Sequence, residues 1–255
     1  MLSSTNARLA AARRLTGRSA RREAGRFLAE GAQAVREALA TDAVVELFAT
    51  AEAMERHPEL TSAAAEISPK DAAALSETVT PQGLVAVCRL VQPTVNQLLE
   101  SPVRLLAVLV EPNDPGNLGT IIRTADAAGA DAVVLNGGVD PYNGKAVRAS
   151  AGSIFHLPVI SCAAEGLLAD TDRVGMQALA TTGDGTSDLD GLVDDGTLIR
   201  PSVWLFGTEA HGLPNSVLEA ADRTVRVPIY GRAESLNLAA AAAVCLYASA
   251  RAQRR

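Results

Sequence analysis

Residues 224–247, TVRVPIYGRAESLNLAAAAAVCLY, contain a short strand pattern, a loop with Pro and Gly, and an alanine-rich helix pattern. The polar residues Ser235 and Asn237 stand where the loop becomes the helix. Backbone N–H groups in the first turn of a helix lack partners within the helix, so they are available to a ligand. Ser is also a common N-cap, and this structural role is the simpler alternative for Ser235.

The same alternation of strand and helix patterns recurs throughout residues 104–255. Residues 105–110 are continuously apolar, which is typical of a strand buried on both faces of a parallel sheet. The regular alternation predicts an α/β domain with a mostly parallel sheet. Residues 1–91 predict a second, smaller α/β domain, and a Pro-containing linker at 92–103 joins the two.

Polar residues follow two further predicted strands, at the edge where open α/β sheets bind ligands. Asn117 is expected to cap a helix that carries Arg123 in its second turn. Because Arg is rarely buried unpaired, Arg123 is expected to face an anion, and the alternative is a surface pair with Asp126. The other loop holds Glu209, together with His211, which is predicted to be a bystander.

Composition excludes several classes of protein. Hydrophobic residues make up 48% of the 255 residues and charged residues 20%, as in an ordinary globular protein. Three cysteines without a CxxC pair predict no disulfide framework and no metal site, and favour a reduced, cytoplasmic setting. The longest apolar run, residues 238–247, is too short for a bilayer, so no membrane partner is expected. The sequence contains no GxGxxG or GxxxxGK[ST] phosphate loop, which argues against a nicotinamide or P-loop enzyme.

Charge is distributed unevenly along the chain. The net charge is −6, yet residues 1–30 hold seven arginines and two acidic residues, a local net charge of +5. Such an asymmetry predicts a phosphate-contacting segment, whereas the alternative is a solvated helix face. The candidate contacts to phosphate groups are Arg18, Arg21, Arg22 and Arg26.

Three segments together resemble motifs of the SpoU (TrmH) branch of the SPOUT RNA methyltransferases. They are NLGTIIRTA at 117–125, FGTEAHGL at 206–213 and VPIYGRAESLNL at 227–238. The resemblance covers residues 104–255. Residues 25–31 (GRFLAEG) and 78–84 (TVTPQGL) resemble the L30e-like substrate-binding domain of such enzymes, so that the whole layout is similar to ribosomal-RNA ribose 2′-O-methyltransferases.

This resemblance implies a fold, a cofactor and an activity. The expected fold is a SPOUT domain with a deep trefoil knot, which is assembled as a homodimer. The expected reaction is methyl transfer from S-adenosylmethionine to a ribose 2′-OH of structured RNA, with 23S ribosomal RNA favoured. The alternatives are a tRNA 2′-O-methyltransferase and a non-catalytic RNA-binding protein that has kept the fold.

Site residues follow from the resemblance by motif position. The catalytic set it implies is Asn117, Arg123, Glu209, Ser235 and Asn237. The cofactor set it implies is Thr182, Leu205, Gly207, Thr208, Val227, Ile229 and Leu236. Because a guanidinium holds its proton, Arg123 is expected to act as a cation that stabilises the developing alkoxide. Glu209 is expected to orient Arg123 or Asn117, while Ser235 and Asn237 position the ribose.

Overall fold

The computed structural model describes residues 1–208 and 210–254. The chain forms two compact units. Residues 1–91 together with 140–156 make the first, and residues 92–139 together with the chain from 157 onwards make the second. The domain boundaries expected from the sequence, at 91 and 104, stay predictions. Residues 140–156 are assigned to the first unit although the resemblance to the methyltransferase domain runs through them.

The elements of residues 1–91 are short helices that alternate with strands. In chain order they are α1 Ala7–Arg14, α2 Arg18–Ala24, β1 Arg26–Glu30, α3 Ala32–Ala40, β2 Val44–Ala49, α4 Ala51–Arg56, α5 Pro58–Thr61, β3 Ala65–Glu66, α6 Pro69–Ala74 and β4 Leu84–Arg89. The strands form one sheet in the order β1-β4-β2-β3, with only the β2–β3 pair parallel. The arginine-rich start of the chain forms two helices, because the chain turns at Thr16 and Gly17.

Residues 92–254 contain the remaining elements. They are α7 Val95–Leu99, β5 Leu105–Val110, α8 Pro115–Ala128, β6 Ala132–Asn136, α9 Gly144–Ala149, β7 Val159–Ser161, α10 Ala164–Arg173, β8 Gln177–Thr181, β9 Ser187–Asp188, α11 Leu189–Asp194, β10 Ser202–Phe206, α12 Asn215–Ala220, β11 Arg223–Arg226 and α13 Leu238–Gln253. Helix α9 belongs to the first unit.

The second unit is built on a seven-stranded sheet in the order β7-β6-β5-β10-β8-β11-β9. Every strand pairing in it is parallel, which confirms the predicted mostly parallel α/β fold. The side chains of β5 and β10 are buried along their whole length, as the continuous apolar run at 105–110 predicts. The trefoil knot stays a prediction.

Two details of the second unit differ from the sequence-based expectation. Helix α8 begins at Pro115, and its N-cap is Asp114, whose side chain accepts a hydrogen bond from the Asn117 N–H; Asn117 is therefore not the cap. Pro suits the first helical position because the missing N–H would have no partner there. The segment from β9 to α11 was not predicted, since a two-residue strand has no detectable alternation. Among the described helices, none is long and apolar enough to cross a membrane.

Candidate active site

A cavity of about 300 Å³ opens in the second unit beyond the carboxyl ends of β8, β10 and β11. This is the sheet edge at which open α/β folds bind ligands. Its walls come from the segments that follow these three strands and from the first turns of α13. The lining residues are Thr181, Thr182, Gly183, Gly207, Thr208, Gly212, Val225, Val227, Ile229, Glu234, Ser235, Leu236, Leu238 and Ala241.

Gly207 lies in a closely packed part of the cavity wall. The turn after it is closed by two backbone hydrogen bonds between Thr208 and Gly212, with N···O distances of 3.1 and 2.9 Å. A Cβ on Gly207 would lie 2.2 Å from the carbonyl carbon of Gly212 and 2.5 Å from the Leu213 nitrogen. Gly212 has a φ of +64°, a conformation that other residues adopt at a cost. Both glycines are therefore required by the turn that borders the cavity.

Six of the seven predicted cofactor residues line the cavity, and these are Thr182, Gly207, Thr208, Val227, Ile229 and Leu236. Leu205 is the exception, and its prediction needs correction. Its side chain is fully buried in the core of the unit, and its carbonyl accepts a hydrogen bond from the Thr181 hydroxyl at 2.9 Å. As an inward residue of the central strand β10, Leu205 supports the wall without forming it.

Half of the residues that line the cavity were not predicted from the sequence. Several of them, such as Gly183, Val225 and Ala241, are small or apolar and carry no chemical signal in the sequence. Gly183 could have been found from its place two residues after the end of β8, because strand ends at this edge face the ligand site. Glu234 is the acidic residue of the cavity wall among the lining residues described.

Asn237 connects the third motif to the first. It is the N-cap of α13, because its side-chain oxygen accepts the Ala239 N–H at 3.0 Å. Its Nδ2 donates to Asn117 Oδ1 at 3.1 Å. Ser235 is not the cap and lies on the cavity wall instead, which removes the simpler structural alternative for it. The structure thus brings Asn117, Ser235 and Asn237 to one place.

Arg123 and Glu209 complete the predicted catalytic set. Arg123 lies on the exposed face of α8, outside the cavity lining, while Ile121 and Ile122 beside it are buried. Its side chain has no ion pair with residues 1–208 or 210–254, so the surface pair with Asp126 is not formed. Glu209 is outside the described residues.

A carboxylate next to the cavity wall, that of Asp184, is hydrogen-bonded to the lining residue Thr182. The Thr182 hydroxyl donates a hydrogen bond to Asp184, and this bond holds the pKa of the Asp184 carboxyl below its ordinary value. Asp184 is therefore anionic near neutral pH beside the cavity wall. Among the residues that the structure describes, no group of His, Cys, Asp and Glu side chains is arranged to hold a metal ion.

Most of the arginines in residues 1–30 form ion pairs within the first unit. Arg21 is only 4% exposed, donates to Asp140 Oδ2 at 2.7 and 3.0 Å, and also donates to two backbone carbonyls. Arg21 therefore cannot be an RNA contact, which corrects the prediction: the buried guanidinium is held by structural partners. Arg18 also has an interaction partner. The side chains of Arg22 and Arg26 are exposed and have no ion pair within the described part of the chain.

The fold and the cavity define an α/β protein with a ligand site at the carboxyl edge of a parallel sheet. A model of the SpoU rRNA Methylase family matches residues 104–247, and one of the MRM3-like substrate binding domain matches residues 6–86. The chain belongs to the SpoU rRNA methylase family, as the three motifs predict.

Individual relatives match nearly the whole chain. The 23S rRNA (guanosine(2553)-2′-O)-methyltransferase RlmP of Bacillus subtilis is 33% identical over 238 residues, which are 92% of each protein. The AdoMet-bound rRNA methyltransferase structure from Sinorhizobium meliloti has a TM-score of 0.82 and 32% identity over 98% of this chain and 97% of that one. The SpoU methyltransferase AviRb of Streptomyces viridochromogenes, in complex with AdoMet, has a TM-score of 0.82 and 30% identity over 98% of both chains.

Proposed function

We propose that this protein transfers a methyl group from S-adenosylmethionine to a ribose 2′-OH of 23S ribosomal RNA. The observation that carries the proposal is the meeting of the first and third motifs at the cavity, through the 3.1 Å hydrogen bond between Asn117 and Asn237 beside Ser235. One relative over nearly the full length of the chain bears the name of a 23S rRNA 2′-O-methyltransferase, as do relatives that match about two thirds of it. Full-length relatives in solved structures hold AdoMet.

The cavity fits an S-adenosylmethionine molecule. Its volume of about 300 Å³ is at the lower end of the range of roughly 300–1,000 Å³ for small-molecule sites. Apolar side chains from Val225, Val227 and Ile229 suit the faces of an adenine ring, and the backbone at Gly183 and Gly207 is open to its polar edge. When bound, this cofactor supplies the electrophilic methyl group.

The chain's own residues position the nucleophile. Ser235 stands on the cavity wall, and the Asn237–Asn117 pair fixes the amides beside it. Polar side chains held in this way can orient a ribose hydroxyl toward the cavity, which provides the entropic part of catalysis. In this proposal Arg123, as a fixed cation, stabilises the negative charge that develops on the ribose oxygen while the hydroxyl proton passes to solvent.

The position of Arg123 on the exposed face of α8, outside the cavity lining, favours its presentation to such a hydroxyl by a second copy of the chain. Arg123 lies six residues after Asn117 on α8, about 9 Å along the axis and roughly 120° around it. Helix α13, which packs beside α8, exposes Val244 and Tyr247. We therefore propose a homodimer formed through α8 and α13, in which Arg123 of each copy serves the cavity of the other.

Subunit mixing tests the dimer. We expect Arg123→Ala and Ser235→Ala to be separately inactive and their mixture to recover roughly a quarter of the wild-type turnover, since half of the mixed dimers' sites are intact. A mixture as inactive as its components would contradict sharing of the site.

Mapping of 2′-O-methylation on ribosomal and transfer RNA, with and without the gene, tests the activity. We expect one 23S nucleotide to lose its methyl group in the absence of the gene and to regain it with purified protein and S-adenosylmethionine. A change in methylation confined to tRNA would favour the alternative that the protein is a tRNA 2′-O-methyltransferase. Unchanged maps together with no cofactor binding by calorimetry would favour the non-catalytic RNA-binding alternative.

A further inference from the structure

Tyr230 is an exposed aromatic residue in the loop between β11 and α13, which forms part of the cavity wall. Its exposed fraction is 86%, while the large aromatic residues Trp204, Phe206 and Phe48 are at most 1% exposed. Aromatic residues form only 3% of the chain, and burying them is their usual stabilising role. An exposed ring in a loop that lines a binding site therefore calls for a functional explanation.

The loop places Tyr230 between residues of the cavity wall. Ile229 comes directly before it, and Glu234 and Ser235 follow after four and five residues; all three line the cavity. Gly231, the next residue along, has only open space where a side chain would stand. Tyr230 therefore belongs to the loop that forms part of the cavity wall, although its own side chain is not among the lining residues.

The Tyr230 ring is also held in position. Its hydroxyl donates a hydrogen bond to a carboxylate oxygen of Asp190, in the first turn of α11. The strand that leads into this loop is also held near α11, because Arg226 Nε at the end of β11 lies 3.2 Å from Oδ2 of Asp188, the N-cap of α11. The bond to Asp190 raises the pKa of the Tyr230 phenol, so the hydroxyl remains a donor at neutral pH. A ring that is already ordered loses little rotamer freedom when a partner binds to it.

We propose that Tyr230 is a stacking platform for an unpaired base of the substrate RNA, next to the nucleotide whose ribose enters the site. Base–aromatic stacking is a general means of holding single-stranded RNA, and it needs a flat, exposed and ordered ring. The target nucleotide must be accessible, so bases around it are splayed out of a helix. This inference rests on the proposed function for the identity of the RNA.

Kinetics on 23S rRNA from cells that lack the gene separate stacking from cofactor binding. For Tyr230→Leu we expect the KM for RNA to rise about tenfold, the energy of one stacked base, with the affinity for S-adenosylmethionine unchanged. Tyr230→Phe keeps the ring, so its KM for RNA stays within about threefold of the wild type. Ile199→Ala removes another exposed apolar side chain, outside the cavity lining, and leaves both constants unchanged.

A binding measurement makes the inference independent of activity. In Tyr230→Trp, the new indole is exposed, whereas the natural Trp204 is fully buried. We expect tiled transcripts of 23S rRNA to quench the emission of the new indole, with saturation by at least one transcript. Quenching without methyl transfer would support the stacking site and contradict the proposed function.

Two outcomes would overturn the stacking site. One is methyl transfer with an unchanged KM for RNA in Tyr230→Leu and no quenching in Tyr230→Trp. The other is an equal loss of affinity for S-adenosylmethionine and RNA in Tyr230→Leu, since Tyr230 would then only hold the loop that encloses the cofactor.

Discussion

The carboxyl edge of the large sheet and the arginine-rich start of the chain are two polar regions that the sequence marks equally clearly. At the sheet edge, Asn117, Ser235 and Asn237 meet beside one cavity although 120 residues separate the two asparagines. In residues 1–30, Arg8, Arg13, Arg14 and Arg21 are instead used in ion pairs within the first unit.

The difference teaches what each kind of sequence signal means. A motif fixes residue types at set distances from strand ends, and the parallel sheet gathers those ends at one edge. A local excess of one charge does not determine where the side chains point. Each arginine can therefore pair with a carboxylate that is distant in sequence, as Arg21 pairs with Asp140. Charge excess therefore predicts an RNA surface less well than motif position predicts a cavity.

The largest effect that tests this comparison is on stability. We expect Arg21→Ala to lower the free energy of unfolding by about 3–5 kcal/mol, because it leaves the Asp140 carboxylate and two carbonyls without their buried donor. The measurement is urea unfolding of the transition that includes the first unit. The exposed neighbour Arg22 is the matched control, and Arg22→Ala should stay within about 0.5 kcal/mol of the wild type. If both variants lowered the free energy of unfolding by the same small amount, Arg21 would behave as a surface residue and not as a buried one.

The next effect is on the cavity. In Gly207→Ala the added Cβ has no room against Gly212 and Leu213, so the 208–212 turn must move. We expect calorimetry to show a loss of S-adenosylmethionine affinity of more than about 100-fold, or roughly 3 kcal/mol. Gly166→Ala in α10, where the new methyl group meets nothing within 4 Å, is the control for folding and should bind normally. Wild-type affinity in Gly207→Ala would show that the turn does not form the site.

The sequence predicted the elements that have strong patterns. The run at 105–110 is a strand with those bounds, since continuous apolar residues suit a buried strand. Three motif residues, Asn117, Ser235 and Asn237, come together, and six predicted cofactor residues line one cavity. These successes depend on periodicity and on strand-end position, both of which can be read along the chain.

Other features depend on contacts that no local pattern records. The pairing of Arg21 with Asp140 joins residues 119 positions apart, and nothing around either residue indicates it. Asp114 rather than Asn117 caps α8, since both are good caps and the competition is decided by Pro115 at the first helical position. A leucine at position 205 could line the cavity or pack in the hydrophobic core, and the residue type alone does not distinguish these two positions.

A smaller effect separates the two roles of Asn237. Asn237→Ala loses the cap of α13 and should reduce the free energy of unfolding by about 1 kcal/mol. Asn237→Asp keeps a capping oxygen but loses the Nδ2 donor to Asn117, so we expect nearly wild-type stability with turnover lower by about tenfold. Thermal unfolding and methyl transfer to the mapped RNA measure the two quantities. Normal turnover in Asn237→Asp would reduce the residue to a helix cap.

The smallest effect concerns the arginines that remain exposed. Arg22→Ala should weaken RNA binding about two- to threefold, and it should lower the slope of log affinity against log salt by about 1, as expected for one lost phosphate contact. Filter binding of 23S rRNA over a salt series measures both. Arg173→Ala is the control, because this exposed guanidinium on α10 already pairs with Asp170 and should leave the slope unchanged. If Arg22→Ala leaves the slope unchanged as well, the local excess of arginines has no electrostatic role in RNA binding, and the contacts must come from the sheet edge alone.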